Sequence, residues 1–213
     1  MSDRKAAILR AALTAFAERT VAATPVPVIA KRADTAAGTL YRYWPSKEAL
    51  ANAVYQECKQ LFTEHLTRGT SVPADADEVA PAFRTMWANL VRFAHDHPDA
   101  LAFLEHQQHA GYLDAASHEA AGRAEEPAVR LIEAGQEHGV FRDTDARLLI
   151  TMVFGAFVGL TKASRAGSGL PRDAWGRAAQ ALWGLLATPA SADALDTFDD
   201  LDDLDDLDDK EPS

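Results

Sequence analysis

The sequence has few of the features typical of secreted and membrane proteins, namely paired cysteines, long apolar runs and a signal peptide. Cys58 is the single cysteine in 213 residues, which excludes an internal disulfide and suits a reducing cytoplasm. The longest apolar run, residues 148–160, covers 13 positions, whereas a helix needs about 20 to cross a bilayer. The N-terminal stretch begins basic and continues as an amphipathic helix without a cleavage site, so we expect no signal peptide. These scarcities predict a cytoplasmic protein without a membrane segment.

The sequence also lacks the motifs that carry enzymatic chemistry. It has no HExxH pair, nucleophile elbow or Walker loop, and the GSG at 167–169 follows a predicted helix rather than a strand. His106 and His109 lie three residues apart, a spacing that permits metal ligation, but no further ligand falls at a diagnostic interval. We therefore expect no enzymatic activity, no metal and no cofactor. A small helical enzyme that uses His and Asp side chains is kept as an alternative.

No segment alternates apolar and polar residues as a half-buried strand would, whereas apolar residues recur at helical spacing. In the first helix this stripe consists of Ile8, Ala11, Ala12, Ala15 and Phe16. The pattern predicts an all-α fold with helices over residues 4–19, 26–33, 36–43, 47–65, 77–95, 98–109, 117–137 and 173–187. The run 148–160 is apolar nearly all round and predicts a further helix, starting near Asp143 or Thr144 and buried on several sides.

Residues 26–50 predict two short helices joined by a tight turn. The first helix places four apolar side chains on one face: Val26, Val28, Ile29 and Ala33. Asp34 tolerates the left-handed backbone that the turn requires, and Thr35 is the predicted N-cap of the second helix. Pro45 ends that helix, because the residue before a proline is pushed out of the α region, and Ser46 caps the next one. This arrangement is typical of a helix-turn-helix DNA-binding unit.

The second short helix carries chemistry suited to DNA. Gly38 lets the backbone approach a phosphate, and Thr39 offers a hydroxyl and a methyl group to base edges. Four further side chains can bind phosphate oxygens: Tyr41, Arg42, Tyr43 and Lys47. Leu40 and Trp44, four residues apart, would face inward. On these residues alone, an amphipathic bundle helix with two exposed tyrosines is the alternative.

The stretch IAKRAD-TAAGTLYRYWPSKEAL resembles the DNA-binding signature of TetR-family transcriptional repressors, in its spacing, its GTLY core and its PSKEAL segment. Residues 4–60 are similar to that domain throughout. Carried over by position, the resemblance implies DNA contacts from Lys31, Ala37, Gly38, Thr39, Tyr41, Tyr43 and Lys47. Asp34 and Ala36 depart from the family pattern, which usually has Gly and often has Ser there. Ala36 removes a hydroxyl that could hold a phosphate or cap the helix.

The remainder of the chain predicts a ligand-binding and dimerisation body. Residues 103–117 resemble a ligand-domain helix of some TetR-family members. Eight side chains are expected to line a cavity: Trp87, Leu90, Phe103, His106, Gln107, Tyr112, Met152 and Phe157. This mostly apolar set predicts a mostly apolar small-molecule effector with one or two hydrogen-bonding groups, although the same side chains could form the core.

Two apolar helices near the C-terminus predict the contact between two copies of the chain. The expected four-helix seam uses small residues of the run 148–160 and one face of the last helix: Gly155, Gly159, Trp175, Ala178, Leu182 and Leu186. The family resemblance points to the same place for a homodimer.

Charge is distributed unevenly along the chain. Residues 1–60 hold nine Lys and Arg against five Asp and Glu, a net of +4, although the whole chain has a net charge of −11. Residues 191–213 have a net of −10 and repeat Leu-Asp-Asp, a three-residue period that forms no apolar stripe on a helix. The asymmetry is expected when one end meets nucleic acid, and the acidic repeat predicts a disordered tail.

Together these patterns predict three segments: a helix-turn-helix DNA-binding domain at 1–48, a ligand-binding and dimerisation domain at 49–188 and a disordered acidic tail at 189–213. The predicted function is sequence-specific transcriptional repression by a homodimer on a near-palindromic double-stranded operator, with release by a small molecule. The alternative from another class is a helical protein-interaction module that works through its acidic tail.

Overall fold

The computed structural model describes residues 3–105, 109–167, 169–171 and 173–194. The α-helices are α1 (Asp3–Glu18), α2 (Val26–Arg32), α3 (Ala37–Tyr43), α4 (Lys47–Leu66), α5 (Ala76–Asp96), α6 (Pro98–Glu105), α7 (Ala115–Glu137), α8 (Ala146–Arg165) and α9 (Ala174–Leu186). Short 3₁₀ helices occupy His109–Gly111 and Pro189–Ala194. Within these ranges the β pairing amounts to an isolated bridge between Phe141 and Ala187. The all-α prediction is confirmed.

The described residues group into two compact units. The first takes those up to Thr63 together with His97–Ala124, and the second takes Glu64–Asp96 together with those from Glu125 onward. The first unit therefore contains the helix-turn-helix and also α6 with the start of α7. The predicted boundary at residue 48 stays a prediction, since the compact unit that holds α1, α2 and α3 extends well beyond it.

The core of the first unit is built on the apolar stripe of α1. Ile8, Ala12 and Phe16 have no exposed surface, as the spacing of the stripe predicts. The ring of Phe16 stacks on Phe103 of α6, with 5.9 Å between ring centroids. Because large apolar side chains buried in this way contribute about 1.5–3 kcal/mol each, α1 and α6 are held firmly together.

The turn between α2 and α3 follows the sequence in one respect and departs from it in another. Asp34 has a φ of 47°, the left-handed conformation predicted for it. Thr35 is not the N-cap, because α3 begins at Ala37 and its N-cap is Ala36, whose side chain cannot accept a hydrogen bond. At the other end of α3, Trp44 is extended, with φ −134° and ψ 121°, as expected before Pro45.

Three further predictions about helix ends and faces are corrected. Val28 was predicted to face inward but is 38% exposed, whereas Ile29 on the same helix is fully buried. The helix predicted to reach residue 109 is α-helical over Pro98–Glu105, residues 106–108 lie outside the described residues, and His109 itself belongs to a 3₁₀ helix. The N-cap of α8 is Asp145 rather than Asp143 or Thr144, and its carboxylate accepts a hydrogen bond from the Leu148 backbone N–H at 2.9 Å.

Aromatic rings fill the core of the second unit. Trp87 of α5 contacts Phe157 of α8 and Trp175 of α9, with ring centroids 6.1 and 6.2 Å away. The Trp87 indole N–H donates to the Trp175 carbonyl at 3.1 Å, which satisfies the polar atom of a buried ring. These contacts join α5, α8 and α9 around one aromatic cluster.

The helix α8 is more exposed than the sequence predicts. Its buried residues are Leu149, Phe157 and Thr161, and its opposite face carries Leu148 and Met152 at 52% and 44% exposure. The expectation of burial on several sides is therefore wrong for the single chain. Among the described helices, α8 has the length and hydropathy of a membrane span, but one such helix is weak evidence for a membrane segment, because the core helix of a water-soluble protein passes the same test.

The predicted tail begins with ordered backbone. Pro189–Ala194 form a 3₁₀ helix, and the Trp183 indole N–H donates to the Ser191 carbonyl at 3.1 Å. Residues 195–213, which carry most of the acidic repeat, lie outside the described residues.

Candidate nucleic-acid interface

The helix α3 is anchored by its apolar side chains. Leu40 is 2% and Trp44 is 7% exposed, so the inward face predicted for them is confirmed. The Lys5 ammonium lies 5.6 Å from the centroid of the Trp44 ring. The Arg4 guanidinium donates to the backbone carbonyl of Asp34 at 3.0 Å, across 30 residues of chain. The start of α1 thus braces both the turn before α3 and the residue that ends it.

Away from this anchor, α3 presents polar side chains to solvent. Tyr41 is 52% and Tyr43 is 42% exposed, and Arg42 between them is also exposed. Gly38 is exposed in the first turn, and nothing lies within 4 Å of a Cβ placed there. Thr39 is half-buried. A short helix with a buried apolar side and an exposed side of hydroxyl and guanidinium groups is suited to phosphate oxygens and base edges.

The remaining predicted DNA-binding residues have mixed positions. Lys31 is exposed on α2, and Ala37 is half-buried at the start of α3. Lys47 is engaged elsewhere, because its ammonium donates to the carbonyls of Ala22 at 3.1 Å and Thr24 at 3.4 Å. In this conformation Lys47 braces the loop before α2, a structural role that the sequence does not reveal.

Charge around the interface is partly neutralised within the unit. Arg32 forms an ion pair with Glu18, in which its Nη2 donates to both carboxylate oxygens, Oε1 at 2.8 Å and Oε2 at 3.0 Å. At the start of α4, hydrogen bonds from its own backbone N–H and from Ser46 lower the pKa of Glu48, so its carboxylate is ionised at neutral pH. The Ser46 hydroxyl also accepts from the Ala49 backbone N–H at 3.1 Å, which confirms the predicted cap.

A buried polar cluster holds the first turns of α4. Asn52 is 5% exposed, and its carboxamide N–H groups donate to the carbonyls of Glu48 and Tyr112, both at 2.9 Å. Its oxygen accepts from the Asp114 backbone N–H at 2.9 Å and from the Ser117 hydroxyl at 2.7 Å. We call these residues, with Gln56, the Asn52 cluster.

His109 is a further buried polar residue of the first unit, and it contacts Tyr112 of the Asn52 cluster. Its Nε2 is 2.6 Å from the Phe103 carbonyl oxygen, which can only accept, so Nε2 carries the proton. In the neutral ring Nδ1 then accepts from the Tyr112 hydroxyl. Burial raises the pKa of Tyr112, which keeps this hydroxyl protonated. His109 is therefore a structural group in the first unit.

Family models match the chain in two adjoining stretches. Residues 8–54 match the model described as bacterial regulatory proteins, tetR family. Residues 55–173, more than half of the chain, match the tetracyclin repressor-like C-terminal domain. The chain belongs to the TetR family. It is a DNA-binding transcriptional repressor, and regulators of this family are not enzymes.

Solved structures agree with this membership. A TetR family transcription regulator from Marinobacter aquaeolei VT8 is 25% identical, with a TM-score of 0.71 over 86% of this chain and 95% of that chain. A TetR-like transcriptional regulator from Rhodococcus sp. RHA1 is 24% identical, with a TM-score of 0.64 over 85% and 92%. The fatty acid degradation regulator FadR from Bacillus halodurans is 20% identical, with a TM-score of 0.69 over 89% and 97%. The last two comparisons show a shared fold.

The residues predicted to bind an effector in this TetR-family chain fall into both units. Phe103 and Tyr112 lie in the first unit, where both take part in contacts with His109. The second unit holds the other described members of the set: Trp87, Leu90, Met152 and Phe157. Of these, Met152 lies on the exposed face of α8 rather than in the aromatic cluster. His106 and Gln107 lie outside the described residues. The predicted pocket stays a prediction.

The predicted seam residues are divided between surface and core. Gly155 and Gly159 are exposed on α8, with open space around both. Ala178 is half-buried on α9, whereas Trp175, Leu182 and Leu186 are 7%, 7% and 0% exposed in the single chain. Because these last three side chains are buried in the single chain, they offer little surface to a partner.

Sequence reasoning did not single out the Asn52 cluster. Asn52 is a polar residue on an otherwise apolar face of α4, beside Ala51 and Tyr55, and such a residue needs hydrogen-bond partners when buried. Asp114 precedes α7 by one residue and accepts from the Ser117 backbone N–H at 2.8 Å, the pattern of an N-cap. Both signals are visible in the sequence. Within the described ranges, no three His, Cys, Asp or Glu side chains come together as a metal site.

Proposed function

We propose that this repressor binds a near-palindromic operator as a homodimer through α3 and leaves it when a small molecule occupies its C-terminal domain. The observation that carries the proposal is the two-sided character of α3. Its apolar residues Leu40 and Trp44 are buried, and Tyr41, Arg42 and Tyr43 are exposed on a helix that the rest of the first unit holds in place. A rigid helix of this kind can enter the major groove in a fixed register.

The side chains of α3 have different expected roles on DNA. Thr39 and Ala37 lie in its first turn, where base edges are read, and Ala37 can offer only apolar contact. Gly38 permits close approach of backbone to a phosphate. Tyr41, Tyr43 and Arg42 bind phosphate oxygens, which fixes position without reading sequence, and Lys31 adds charge from α2. Lys47 contributes chiefly by holding the loop before α2, as its hydrogen bonds there indicate.

The exposed face of α8 supports the homodimer. It carries Leu148 and Met152 at 52% and 44% exposure, beside the open surface of Gly155 and Gly159. Large apolar side chains clustered on one helix mark an interaction surface, and small residues let a partner helix approach closely. A second copy that covers this face would place two α3 helices on one operator.

Release by an effector follows from the family to which the chain belongs, whose members bind small-molecule ligands. The effector is proposed to be mostly apolar, as expected from the sequence set that includes Trp87, Leu90 and Phe157. Such a ligand shifts the protein between conformers only by its difference in affinity for them. We expect the protein to act in the cytoplasm.

The test of this proposal compares variants of α3 on an operator selected from random DNA. Thr39→Ala should relax base preference, while Tyr41→Phe and Arg42→Ala should weaken binding to all sequences alike. If Arg42 neutralises one phosphate, Arg42→Ala lowers the slope of log affinity against log salt by about 0.9. Gel shifts over a salt series measure both effects.

A matched control for Arg42 is Arg123 on α7, whose side chain is 69% exposed and pairs with Glu119 at 3.7 Å. Arg123→Ala makes the same change in net charge outside the helix-turn-helix, and it should leave the salt slope as in the parent. If Tyr41→Phe and Arg42→Ala bind every sequence as the parent does, α3 is not the DNA-binding helix.

A further inference from the structure

The carboxamide of Asn52 is saturated by four hydrogen bonds. An Asn side chain has two N–H donors and two acceptor lone pairs. Its donors go to the carbonyls of Glu48 and Tyr112, and its oxygen accepts from Asp114 and Ser117. Three of the four partners lie 60 to 65 residues further along the chain. One buried side chain thus joins α4 to the backbone around the start of α7.

Gln56, one turn further along α4, repeats this connection. Its amide donates to the Asp114 carboxylate at 3.3 Å and to the Ser117 hydroxyl at 3.1 Å. The Asp114 carboxylate also accepts from the Ser117 backbone N–H. This hydrogen bond is the main cause that lowers the pKa of Asp114, and the hydrogen bond from Gln56 lowers it further. The segment that Asn52 holds is therefore a capped helix start, which is locally rigid.

Asn52 lies close in sequence to the DNA-reading helix. The helix α3 ends at Tyr43 and α4 begins at Lys47, with Trp44 buried between them. Asn52 follows one and a half turns after Lys47, whose ammonium is fixed to the loop before α2. A rotation or shift of the first turns of α4 must therefore displace α3 or break these contacts.

We propose that Asn52 is a positioning residue for operator binding, which holds the start of α4, and through it α3, against residues 112–117. The inference rests on the proposed function, since it concerns the orientation of the helix that we assign to DNA. Asn52 itself is buried and touches no DNA. It acts by hydrogen bonding to two backbone groups on either side of Leu113, the Tyr112 carbonyl and the Asp114 N–H.

The structure offers a matched control in Asn89, a second buried Asn that also binds backbone near α4. Asn89 is 3% exposed, and its amide donates to the carbonyls of Leu66 at 3.2 Å and Arg68 at 2.8 Å. These contacts hold the C-terminal end of α4, in the second unit. Replacing either Asn removes the same kind of hydrogen bonds at opposite ends of one helix.

The experiment compares Asn52→Leu with Asn89→Leu in the full chain. Both should lower the unfolding temperature, because each leaves buried backbone groups without a partner. Operator affinity is then measured by fluorescence anisotropy at a temperature where circular dichroism shows every variant folded. Asn52→Leu should weaken operator binding by about tenfold, and Asn89→Leu by less than about twofold, since only the first displaces α3. Equal affinities for the two variants would overturn the inference.

A second variant keeps the test decisive if Asn52→Leu fails to fold. In Asn52→Asp the ionised carboxylate would face the carbonyls of Glu48 and Tyr112, to which the Asn52 amide donates, and it could donate to neither. The protonated acid can donate to the Tyr112 carbonyl while its other oxygen accepts from the Asp114 N–H. The operator affinity of Asn52→Asp should therefore approach that of the parent as pH falls through the carboxyl's pKa, which burial raises.

Affinity in this test is expressed as a ratio to the parent at each pH, which cancels the titration of groups common to both proteins. A ratio that does not change with pH contradicts the inference. Failure of the parent itself to bind any selected operator would instead refute the proposed function, so the two failures are distinguishable. Hydrogen exchange at the backbone N–H of Leu40 and Trp44 gives an independent readout, which Asn52→Leu should accelerate and Asn89→Leu should leave unchanged.

Discussion

Single residues decide how the DNA-reading surface is formed. Asp34 adopts a left-handed conformation that few side chains tolerate, and the Arg4 guanidinium binds its carbonyl. Cys58, by contrast, is a packing residue, because burial raises the pKa of its thiol to about 12 and so keeps it uncharged at neutral pH. Burial therefore removes the thiolate form that a redox-sensing cysteine would need.

Gly135 of α7 is a closely packed position in the second unit. A Cβ there would lie 2.2 Å from a ring carbon of Phe141, which is itself packed on Trp183 at 5.3 Å between centroids. Gly135→Ala should therefore destabilise the protein by about 1–3 kcal/mol through overpacking, although Ala is the better helix former. Urea unfolding of the purified protein measures the difference.

Gly122 lies in the same helix and is the matched control. It is exposed, with nothing within 4 Å of an added Cβ. Gly122→Ala should stabilise the protein by about 0.5–1 kcal/mol, because it lowers the entropy lost by the backbone on folding. If Gly135→Ala stabilises the protein as Gly122→Ala does, the close contact between Gly135 and Phe141 is not present in solution.

At the scale of whole helices, α8 has two unequal faces. One face carries Phe157 into the aromatic cluster with Trp87 and Trp175, and the other leaves Leu148 and Met152 in solvent. An isolated chain gains nothing from the exposed apolar face, whereas a dimer gains about 25 cal/mol for each Å² that is covered. The proposed dimer contact would bury this exposed apolar face.

Leu148→Glu tests the seam against a control of equal exposure. Leu148 is 52% exposed on α8, and Val72 is 53% exposed outside it. A charge placed in the seam would be buried without a partner, so Leu148→Glu should give monomers in sedimentation and weaken operator binding. Val72→Glu should remain dimeric. A dimer that survives Leu148→Glu and Met152→Glu together would place the interface elsewhere.

At the scale of the whole molecule, charge is separated along the chain. Residues 1–60 have a net charge of +4, and the acidic repeat dominates the C-terminal end. The positive end is the one that binds DNA, so the overall charge of −11 is misleading about the partner. Solubility is a sufficient role for the acidic repeat. Competition with DNA for the positive end is the additional role that charge suggests.

Deleting residues 195–213 tests whether the acidic repeat weakens DNA binding. The cut follows Ala194 because Ser191 accepts the hydrogen bond of the Trp183 indole and should be kept. If the repeat competes with DNA, the truncated protein should bind operator and random DNA more tightly by the same factor. The gain should shrink as the Debye length falls from about 10 Å at 0.1 M salt to about 3 Å at 1 M.

The control for the deletion keeps the length of the chain and replaces each Asp of residues 195–213 by Asn. This variant should behave like the truncation, because only charge is removed. Gel shifts at low and high salt compare the three proteins. Equal affinities at low salt for the parent and both variants would leave solubility as the role of the repeat.

The sequence by itself determined the class of fold, the helix-turn-helix and most helix ends. Local rules suffice for these features, because helix periodicity, the Pro45 stop, the Ser46 cap and the left-handed Asp34 depend on residues a few positions apart. The spacing of residues 29–50 also sufficed to place the chain in its family. The α3 surface follows from the same local pattern, since Leu40 and Trp44 fix which side is buried.

Only the tertiary structure decided which contacts join distant parts of the chain. Lys47 has the charge for phosphate, but its reach to the carbonyls of Ala22 and Thr24 depends on how the loop before α2 folds back. The small residues Gly155 and Gly159 indicated one side of α8 for a partner chain, but the exposure of Leu148 and Met152 on that side depends on how α5 and α9 pack against the other. The Asn52 oxygen accepts hydrogen bonds from Asp114 and Ser117, which lie more than 60 residues further along the chain. Such pairings arise from the global fold, and no local pattern specifies them.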